Sequence, residues 1–375
     1  MRTQQLVFTP QQGWNTPKAL HQDAPDFVWI LGGRAALQDG TALRLLAEMF
    51  DRARFFGCST AGEIDSDARV YDDHVVATAV WFDRSHVDCA VIDCPDGADA
   101  RAVGRELGKA LKVDGLVHAI VFSDGTRMNG SALASGLEES LPAGVTLSGG
   151  LAGDGAAMQE TVVVHAGDVR GSRVSIMGFY GDVRVAIGTL SGWAAFGPER
   201  RITSSSANVL STLDGEEALS LYKRYLGPHA ATLPAGALLF PLLVKADDGT
   251  PPVVRTVLSI DDAAGTMTFA GDVPVGASAH LMRANFDRVV AGAAGAAQAC
   301  LDEAPVAELA LLVSCVGRKL LLKQRIEEEV EAVRDVMGAG CVLAGFYSYG
   351  ELAPTSPGKP CQLHNETMTV TTFRE

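Results

Sequence analysis

The side chains best suited to binding chemistry lie towards the end of the chain, and Arg318 is the first of them. Arg318 follows a predicted buried strand through Gly317, and loop residues at such strand ends line many sites in α/β folds. A planar guanidinium can hold a carboxylate through two hydrogen bonds. The alternative is a solvated arginine in the first turn of a helix, where a positive charge is slightly unfavourable. We interpret Arg318 as a ligand-binding residue.

A second group of candidates surrounds the carboxylate of Glu351, which Tyr347 and Tyr349 precede in the chain. Tyrosine rings supply apolar walls with a hydroxyl at the rim, which suits a small polar ligand. Glu351 could accept hydrogen bonds from a ligand ammonium, or it could cap N–H groups of its own turn. We expect all three residues to contact a ligand; ordinary core packing is the alternative for the tyrosines.

His364 and Asn365 open the last predicted strand. An asparagine amide donates and accepts hydrogen bonds at once, which suits recognition of an amino acid. A neutral imidazole could bind haem iron, although a lone histidine is more often a structural residue. His74 occupies the matching place before a strand of the first repeat. No metal-ligand spacing occurs, so we predict no metal site, and His364 or His74 would be a ligand only if haem is bound.

Glu351 belongs to a seven-residue phrase that the chain contains three times. The copies are 57–63 (GCSTAGE), 148–154 (SGGLAGD) and 345–351 (GFYSYGE), each with a small first residue, a sixth glycine and a seventh carboxylate. A glycine followed by an acid at a strand end can form a turn whose backbone lies close to a ligand. Such a repeat predicts an architecture built by duplication.

The first two copies of the phrase supply four secondary candidates for ligand contact. They are Cys58, Ser59, Glu63 and Asp154. For Cys58 the alternative is a small buried apolar residue. For Glu63 and Asp154 it is a carboxylate that caps the N–H groups of its own turn.

Strand and helix patterns recur around the three copies and predict the elements that position these residues. Apolar strand-like runs at 26–31, 116–122 and 309–315 precede helical patterns at 41–54, 131–141 and 320–337. This alternation predicts an α/β (or α+β) fold with mixed β-sheets flanked by helices, built from duplicated strand-helix-strand units.

The break after the helical pattern that ends near Gly227 and Pro228 suggests a division of the chain. Residues 183–282 around this break read mostly as β-strands. We predict an N-terminal extension at 1–25, a first domain at 26–227 and a second domain at 228–375.

Charge and composition exclude several classes of partner. The formal net charge of −14 argues against binding to nucleic acid or to an anionic membrane surface. No run of about 18 apolar residues predicts a transmembrane helix, and no signal peptide is visible. Seven cysteines without a C-x-x-C pair are typical of a reducing compartment. We expect a cytoplasmic protein without a membrane partner.

The common catalytic motifs do not occur in the sequence. It contains no G-x-S-x-G, no G-x-x-x-x-G-K-[ST] and no H-E-x-x-H, and the glycine-rich stretch 149–153 has no lysine for a phosphate. An enzyme with Cys58 as nucleophile is the alternative, but it needs a neighbouring base and a low thiol pKa. We predict that the protein is not an enzyme.

The chain resembles the FIST family of sensory proteins from about residue 26 to 369. The N-terminal signature of the family is similar to 56–63 and 147–154. The more specific C-terminal signature is similar to 314–318, 344–351 and 364–368. The resemblance implies an N-terminal and a C-terminal FIST domain in tandem. It also implies an intracellular role in signal transduction as a sensor of small ligands, with amino acids proposed.

Relatives of this kind usually stand beside transmitter modules, for which this chain has no room. We therefore expect it to bind an amino acid or similar small polar metabolite and to signal to a separate protein, such as a histidine kinase or a chemoreceptor-type transmitter. The ligand would shift the population of domain arrangements. Because some relatives bind haem, a haem-binding nitric-oxide sensor is the alternative; otherwise no cofactor is expected. A homo-oligomer is left open.

Overall fold

The computed structural model describes residues 1–15, 21, 23–233, 235–247 and 249–375. Residues 16–20 and 22 of the segment predicted as an N-terminal extension therefore lie outside the described residues. The earlier part of that segment forms strand β1 (Arg2–Thr9), which pairs with the strand at Val75–Trp81.

Three structural units follow one another along the chain, and each contains one copy of the repeated phrase. The first unit comprises β1 (Arg2–Thr9), β2 (Gly13–Trp14), β3 (Phe27–Gly32), α1 (Arg34–Asp39), α2 (Thr41–Met49), β4 (Arg54–Ser59), β5 (Glu63–Ile64), β6 (Val70–Tyr71) and β7 (Val75–Trp81). The second comprises β8 (His86–Asp93), α3 (Ala100–Ala110), β9 (Leu116–Ser123), α4 (Gly130–Ser140), β10 (Thr146–Leu151), β11 (Val163–His165), β12 (Asp168–Arg170) and β13 (Arg173–Tyr180).

The third unit is interrupted by an insertion, which we call the insert. The unit begins with β14 (Arg184–Leu190). The insert, residues 194–283, holds β15 (Ala194–Ser206), β16 (Val209–Leu213), β17 (Glu216–Glu217), α5 (Ala218–Leu226), 3₁₀ turns at Gly227–Thr232 and Ala235–Leu239, β18 (Leu242–Lys245), β19 (Val253–Arg255), β20 (Val257–Asp261), β21 (Thr266–Phe269) and β22 (Ser278–Arg283). The unit resumes with α6 (Phe286–Glu303), β23 (Leu309–Cys315), α7 (Val316–Leu322), a 3₁₀ turn at Lys323–Arg325, α8 (Ile326–Met337), β24 (Val342–Ser348), β25 (Gly350–Pro354), β26 (Cys361–His364) and β27 (Met368–Arg374).

The three units exchange hairpins in a closed cycle. The sheets run β12-β11-β4-β3-β7-β1-β2, β26-β25-β10-β9-β13-β8 and β14-β27-β23-β24-β5-β6. In each sheet two central strands are parallel and the remaining pairs are antiparallel. Each copy of the phrase carries the chain from the sheet of its own unit to the sheet of another. The phrase is thus the crossover of a threefold repeated architecture, which we call the threefold core.

The inner faces of the three sheets share one apolar core. Phe122 of the second sheet stacks on Phe56 of the first, with ring centroids 4.9 Å apart, and meets Phe346 of the third edge-on at 5.5 Å. Trp29 and Phe373 join the first and third sheets in the same way. Burial of each such ring stabilises the fold by about 1.5–3 kcal/mol. Helices cover the outer faces, with α2 on the first sheet, α3 and α4 on the second, and α6 and α8 on the third.

The mixed α/β fold predicted from the sequence is confirmed, whereas two element predictions are wrong. The helix predicted at 320–337 is broken at Lys323, which has a φ of 53°. Within the β-rich stretch 183–282, the apolar run 237–244 predicts a strand, but the strand begins only at Leu242, after a 3₁₀ turn. The predicted domains 26–227 and 228–375 share sheets, because β14 pairs with β27 and β25 pairs with β10. Among the described helices, none has the length and apolar character to cross a bilayer.

In the first unit, the neighbouring strand leaves no room for a side chain at the first residue of the phrase. A Cβ atom on Gly57 would lie 1.7 Å from the carbonyl oxygen of Ile30, its partner on the parallel strand β3. We expect Gly57→Ala to lower the free energy of unfolding by about 2 kcal/mol, since backbone atoms must move to admit the methyl group. Urea unfolding measures this change. Gly340→Ala is the control, because nothing lies within 4 Å of its Cβ position; equal stability of the two variants would contradict the prediction.

Candidate functional site

A cavity of about 460 Å³ lies between the threefold core and the insert. The core supplies the loop 125–129 after β9, the start of α7 after β23, and Tyr349. The insert supplies Thr256, Leu258, Phe269 and Ala270. Because β9 and β23 are parallel strands of their sheets, their carboxyl ends open towards this space, which is the usual position of ligand sites in such sheets. The size also falls in the range of small-molecule sites.

Asn365, in the link between β26 and β27, lines this cavity with an unsatisfied amide. Its side chain is only 1% exposed. Oδ1 accepts a long hydrogen bond from the N–H of Thr256 at 3.5 Å, a position that suits the amide oxygen and not the amide nitrogen. Nδ2 then points the other way and finds no partner within the described part of the chain. A buried donor without a partner costs about 1–3 kcal/mol, so an acceptor that reached Nδ2 from the cavity would stabilise the protein.

Glu366 lies behind the cavity floor, next to Asn365, and was not predicted from the sequence as a site residue. Its Oε1 accepts a hydrogen bond from Thr256 Oγ1 at 2.9 Å, whereas Oε2 is buried without a partner among the described residues. Burial raises the pKa of Glu366 to about 8. The carboxyl packs against Gly317, where a Cβ atom would lie 2.3 Å from Oε1. Its position in the 364–368 signature was the one signal that could have identified it.

Tyr349 lines the cavity and holds a loop at its mouth. Its hydroxyl donates to the Asp154 carboxylate and accepts a hydrogen bond from the N–H of Met158 at 3.1 Å. Asp154 also accepts from the N–H groups of Gln159 and Glu160. Burial opposes ionisation of Asp154, but the hydrogen bonds from Glu160, Tyr349 and Gln159 outweigh it and lower the pKa. The third and second copies of the phrase therefore meet at this cavity.

Comparison with known protein families supports the relationship suggested by the sequence signatures. The model of the FIST N domain matches residues 26–216, and the model of the FIST C domain matches residues 218–354. The chain belongs to the FIST family. FIST domains are sensory domains of signal transduction. The two matches meet inside the insert, which borders the cavity.

Two further comparisons add little to the FIST assignment. No curated protein matches the chain. Among solved structures, cyanuric acid hydrolase from A. caulinodans matches with 11% sequence identity over 78% of this chain and 100% of its own, at a TM-score of 0.19. A likeness at that score carries no argument about fold or activity.

In this FIST protein Arg318 lies away from the cavity, in a buried ion pair. Its Nη2 and Nε are 2.7 Å and 2.9 Å from Oε2 of Glu329, and neither side chain is exposed. Nη1 and Nη2 also donate to the carbonyl oxygens of Ser191 and Val289 at 2.5 Å and 2.8 Å. The guanidinium stands over the ring of Trp193. Each guanidinium nitrogen that could donate to a ligand carboxylate already donates to a group of the chain. We therefore do not include Arg318 in the candidate site.

Tyr347, Glu351 and His364 are also engaged inside the fold. The Tyr347 hydroxyl donates to Glu329 Oε1 at 2.7 Å. Glu351 accepts hydrogen bonds from Ser348 and Thr367, and burial raises its pKa to about 8. The imidazole Nε2 of His364 lies 3.0 Å from the Ala353 carbonyl oxygen, and burial lowers its pKa to about 4. Of the six primary candidates, the structure brings Tyr349 and Asn365 to the cavity.

The candidates from the first copy of the phrase are engaged inside the fold and do not line the cavity. Glu63 accepts from the hydroxyl of Thr60 and from the N–H of His74, which matches the arrangement at Glu351. Ser59 Oγ accepts from the N–H of Val162 at 2.9 Å. Cys58 is buried in the shared core, and burial raises the pKa of its thiol well above the usual value. A buried, protonated thiol does not suit a nucleophile.

The histidines considered for haem do not fit an axial ligand. His364 is buried, and its Nε2 contacts a backbone carbonyl rather than the cavity. The His74 ring stacks on Tyr71, in a groove whose walls include Asp65, Asp67 and Arg69. Such a polar groove does not suit a porphyrin. Within the described residues, no cluster of His, Cys, Asp and Glu could hold a metal ion.

Proposed function

We propose that this FIST protein is a cytoplasmic sensor that binds a small polar metabolite in the cavity between the threefold core and the insert. The buried, unpartnered amide of Asn365 in that cavity carries the proposal. A cavity of about 460 Å³ accepts a metabolite of amino-acid size or somewhat larger. Seven free cysteines are compatible with a reducing compartment.

The position of α7 suggests how binding is transmitted. Val316, its first residue, lines the cavity. Arg318 lies two residues further along the same helix. It donates hydrogen bonds to the carbonyl oxygens of Ser191 and Val289, which lie beside the two chain segments that connect the insert to the core. A ligand that contacts both Val316 and the insert would favour one arrangement of the insert over others. The surface changed by this shift would contact a separate signalling protein, such as a histidine kinase or a chemoreceptor-type transmitter.

The proposal is tested by filling the cavity. Ala270→Phe places a ring in the space, whereas Ala263→Phe places one on the exposed β20–β21 turn of the same insert. In a thermal-shift screen of amino acids, organic acids and amides, we expect compounds that stabilise the wild type and the Ala263→Phe control. Stabilisation should be lost in Ala270→Phe, because the bound ligand is what raises the melting temperature.

The contrary results are equally clear. If no compound stabilises the wild type, the protein is not a sensor of such metabolites. If Ala270→Phe responds to the same compounds as the control, the ligand binds elsewhere on the molecule.

A further inference from the structure

The cavity walls specify the chemistry of the ligand more narrowly than its size does. The described lining includes apolar side chains from both sides, among them Leu151, Leu238, Phe269 and Val316. Two further apolar residues stand at the mouth, Met158 and Leu258, which are 39% and 48% exposed. Large exposed apolar side chains around a concave site are typical of a surface that a ligand covers.

The polar side chains of the lining differ in how far their hydrogen-bonding groups already have partners. Asn129 donates to Asp272 and caps α4, and Asn208 donates to the carbonyl oxygen of Phe269. The Tyr349 hydroxyl is engaged with the 154–158 loop. Asn365 differs because its Nδ2 is buried and has no partner within the described ranges. The group that completes this amide must therefore be a hydrogen-bond acceptor.

The charges around the cavity also favour an acceptor. Arg127 is the one charged side chain among the described lining residues, and it is half-exposed at the rim, where Asp96 and Ser172 accept from its Nη1. No lining carboxylate would balance an ammonium group. Two buried acids lie behind lining residues. Glu366 is held behind Thr256, and burial raises its pKa to about 8. Asp124 accepts hydrogen bonds from Thr126 and from the N–H of Arg127. A cationic ligand head inside the cavity would meet no carboxylate among the described lining residues, and the acids around it already accept hydrogen bonds within the chain.

We infer that the ligand carries an sp² oxygen acceptor, a carboxylate or a carboxamide, on an apolar body, and that it accepts a hydrogen bond from Asn365 Nδ2. This inference rests on the proposed function and narrows it. It excludes amines without an acceptor and places the apolar body against Leu258 and Phe269. A carboxylate and a carboxamide can both accept this hydrogen bond. They differ in charge, so only the carboxylate would be attracted by the guanidinium of Arg127 at the rim.

Three compounds with the same phenyl-containing apolar skeleton and different polar end groups test the inference. They are 3-phenylpropionate, 3-phenylpropionamide and 3-phenylpropylamine, each titrated into the full chain at pH 7 by calorimetry. We expect the acid or the amide to bind and the amine to bind at least about tenfold more weakly, since it offers Asn365 no acceptor. Stronger binding of the acid than of the amide would assign a role to Arg127.

Two variants connect the result to Asn365. Asn365→Leu keeps the approximate size but removes both the unpartnered donor and the acceptor for the N–H of Thr256, so it should lower the melting temperature and lose about tenfold in affinity for the acid or the amide. Asn365→Asp keeps the acceptor for Thr256 and replaces the donor by an oxygen, so it carries the test if the leucine variant does not fold.

The outcomes separate the ligand class from the function. If the amine binds as tightly as the other probes, if none of the three binds, or if both Asn365 variants keep wild-type affinity, the ligand class is wrong. In that case, binding of some other compound that Ala270→Phe abolishes would leave the proposed function standing. If the wild-type protein binds no compound at this cavity, both the ligand class and the proposed function are wrong.

Discussion

Arg318→Met is expected to lower the free energy of unfolding by about 3–5 kcal/mol. The change leaves the carboxylate of Glu329 buried without its counter-ion, and an uncompensated buried charge is among the most destabilising defects in a protein. It also removes the donors to the carbonyl oxygens of Ser191 and Val289. Urea unfolding followed by circular dichroism measures the loss.

Arg325→Met on the neighbouring turn is the matched control. Arg325 also forms ion pairs, with Asp287 and Glu328, but its side chain is 43% exposed. Exposed pairs contribute below about 1 kcal/mol, so this variant should be close to the wild type. If Arg318→Met were as stable as the control and had lost ligand binding, the original interpretation of Arg318 as a ligand residue would be right after all.

The stability of the protein is expected to fall between about pH 6.5 and pH 8, above the ordinary pKa of the buried His118 and His364, and Glu351→Gln should weaken this dependence. Burial raises the pKa values of Glu63, Glu351 and Glu366 from 4.5 to about 8. A raised carboxyl pKa means that the fold favours the protonated form. Its contribution is complete below the unfolded pKa and is lost as the pH rises through the folded pKa.

The slope is of the order of 1 kcal/mol per pH unit for each such group. A glutamine at 351 resembles the neutral acid, since its amide can donate to Ser348 Oγ, 2.8 Å from the present Oε1, and accept from Thr367. Unfolding in urea at several pH values would give the slope for the wild type and the variant.

Glu139→Gln supplies the control for this measurement. Hydrogen bonds from Arg101 lower the pKa of Glu139, so any stability linked to its ionisation is lost only as the pH falls below its ordinary value. Its replacement should leave the slope between about pH 6.5 and pH 8 unchanged. Equal slopes in the wild type and Glu351→Gln would contradict the assignment of a neutral buried acid.

Much of the fold could be predicted because its signals are local. Apolar runs such as the one before Cys315 mark the central strands, and the three phrases mark the ends of the second parallel strands. The exchange of hairpins between sheets could not be predicted, because it depends on pairings such as β5 with β24, between residues far apart in sequence.

The candidate site was predicted only in part, for a related reason. Asn365 and Tyr349 were identified from residue type and position, and both line the cavity. The buried ion pair of Arg318 could not be predicted, because the sequence does not show that Lys323 breaks the helix and that Glu329 then folds back onto the guanidinium. Thr256, which orients Asn365, lies in the insert and carries no motif at all.

The cyclic exchange of hairpins has a consequence for synthesis on the ribosome. The hairpin of β5 and β6 is made early, yet its partner strand is Val342–Ser348, near the end of the chain. The nascent N-terminal half therefore carries an unpaired hairpin until almost the whole polypeptide has emerged. Isolated two-stranded hairpins are marginally stable, so the third sheet of the threefold core is completed only after Val342–Ser348 has been made.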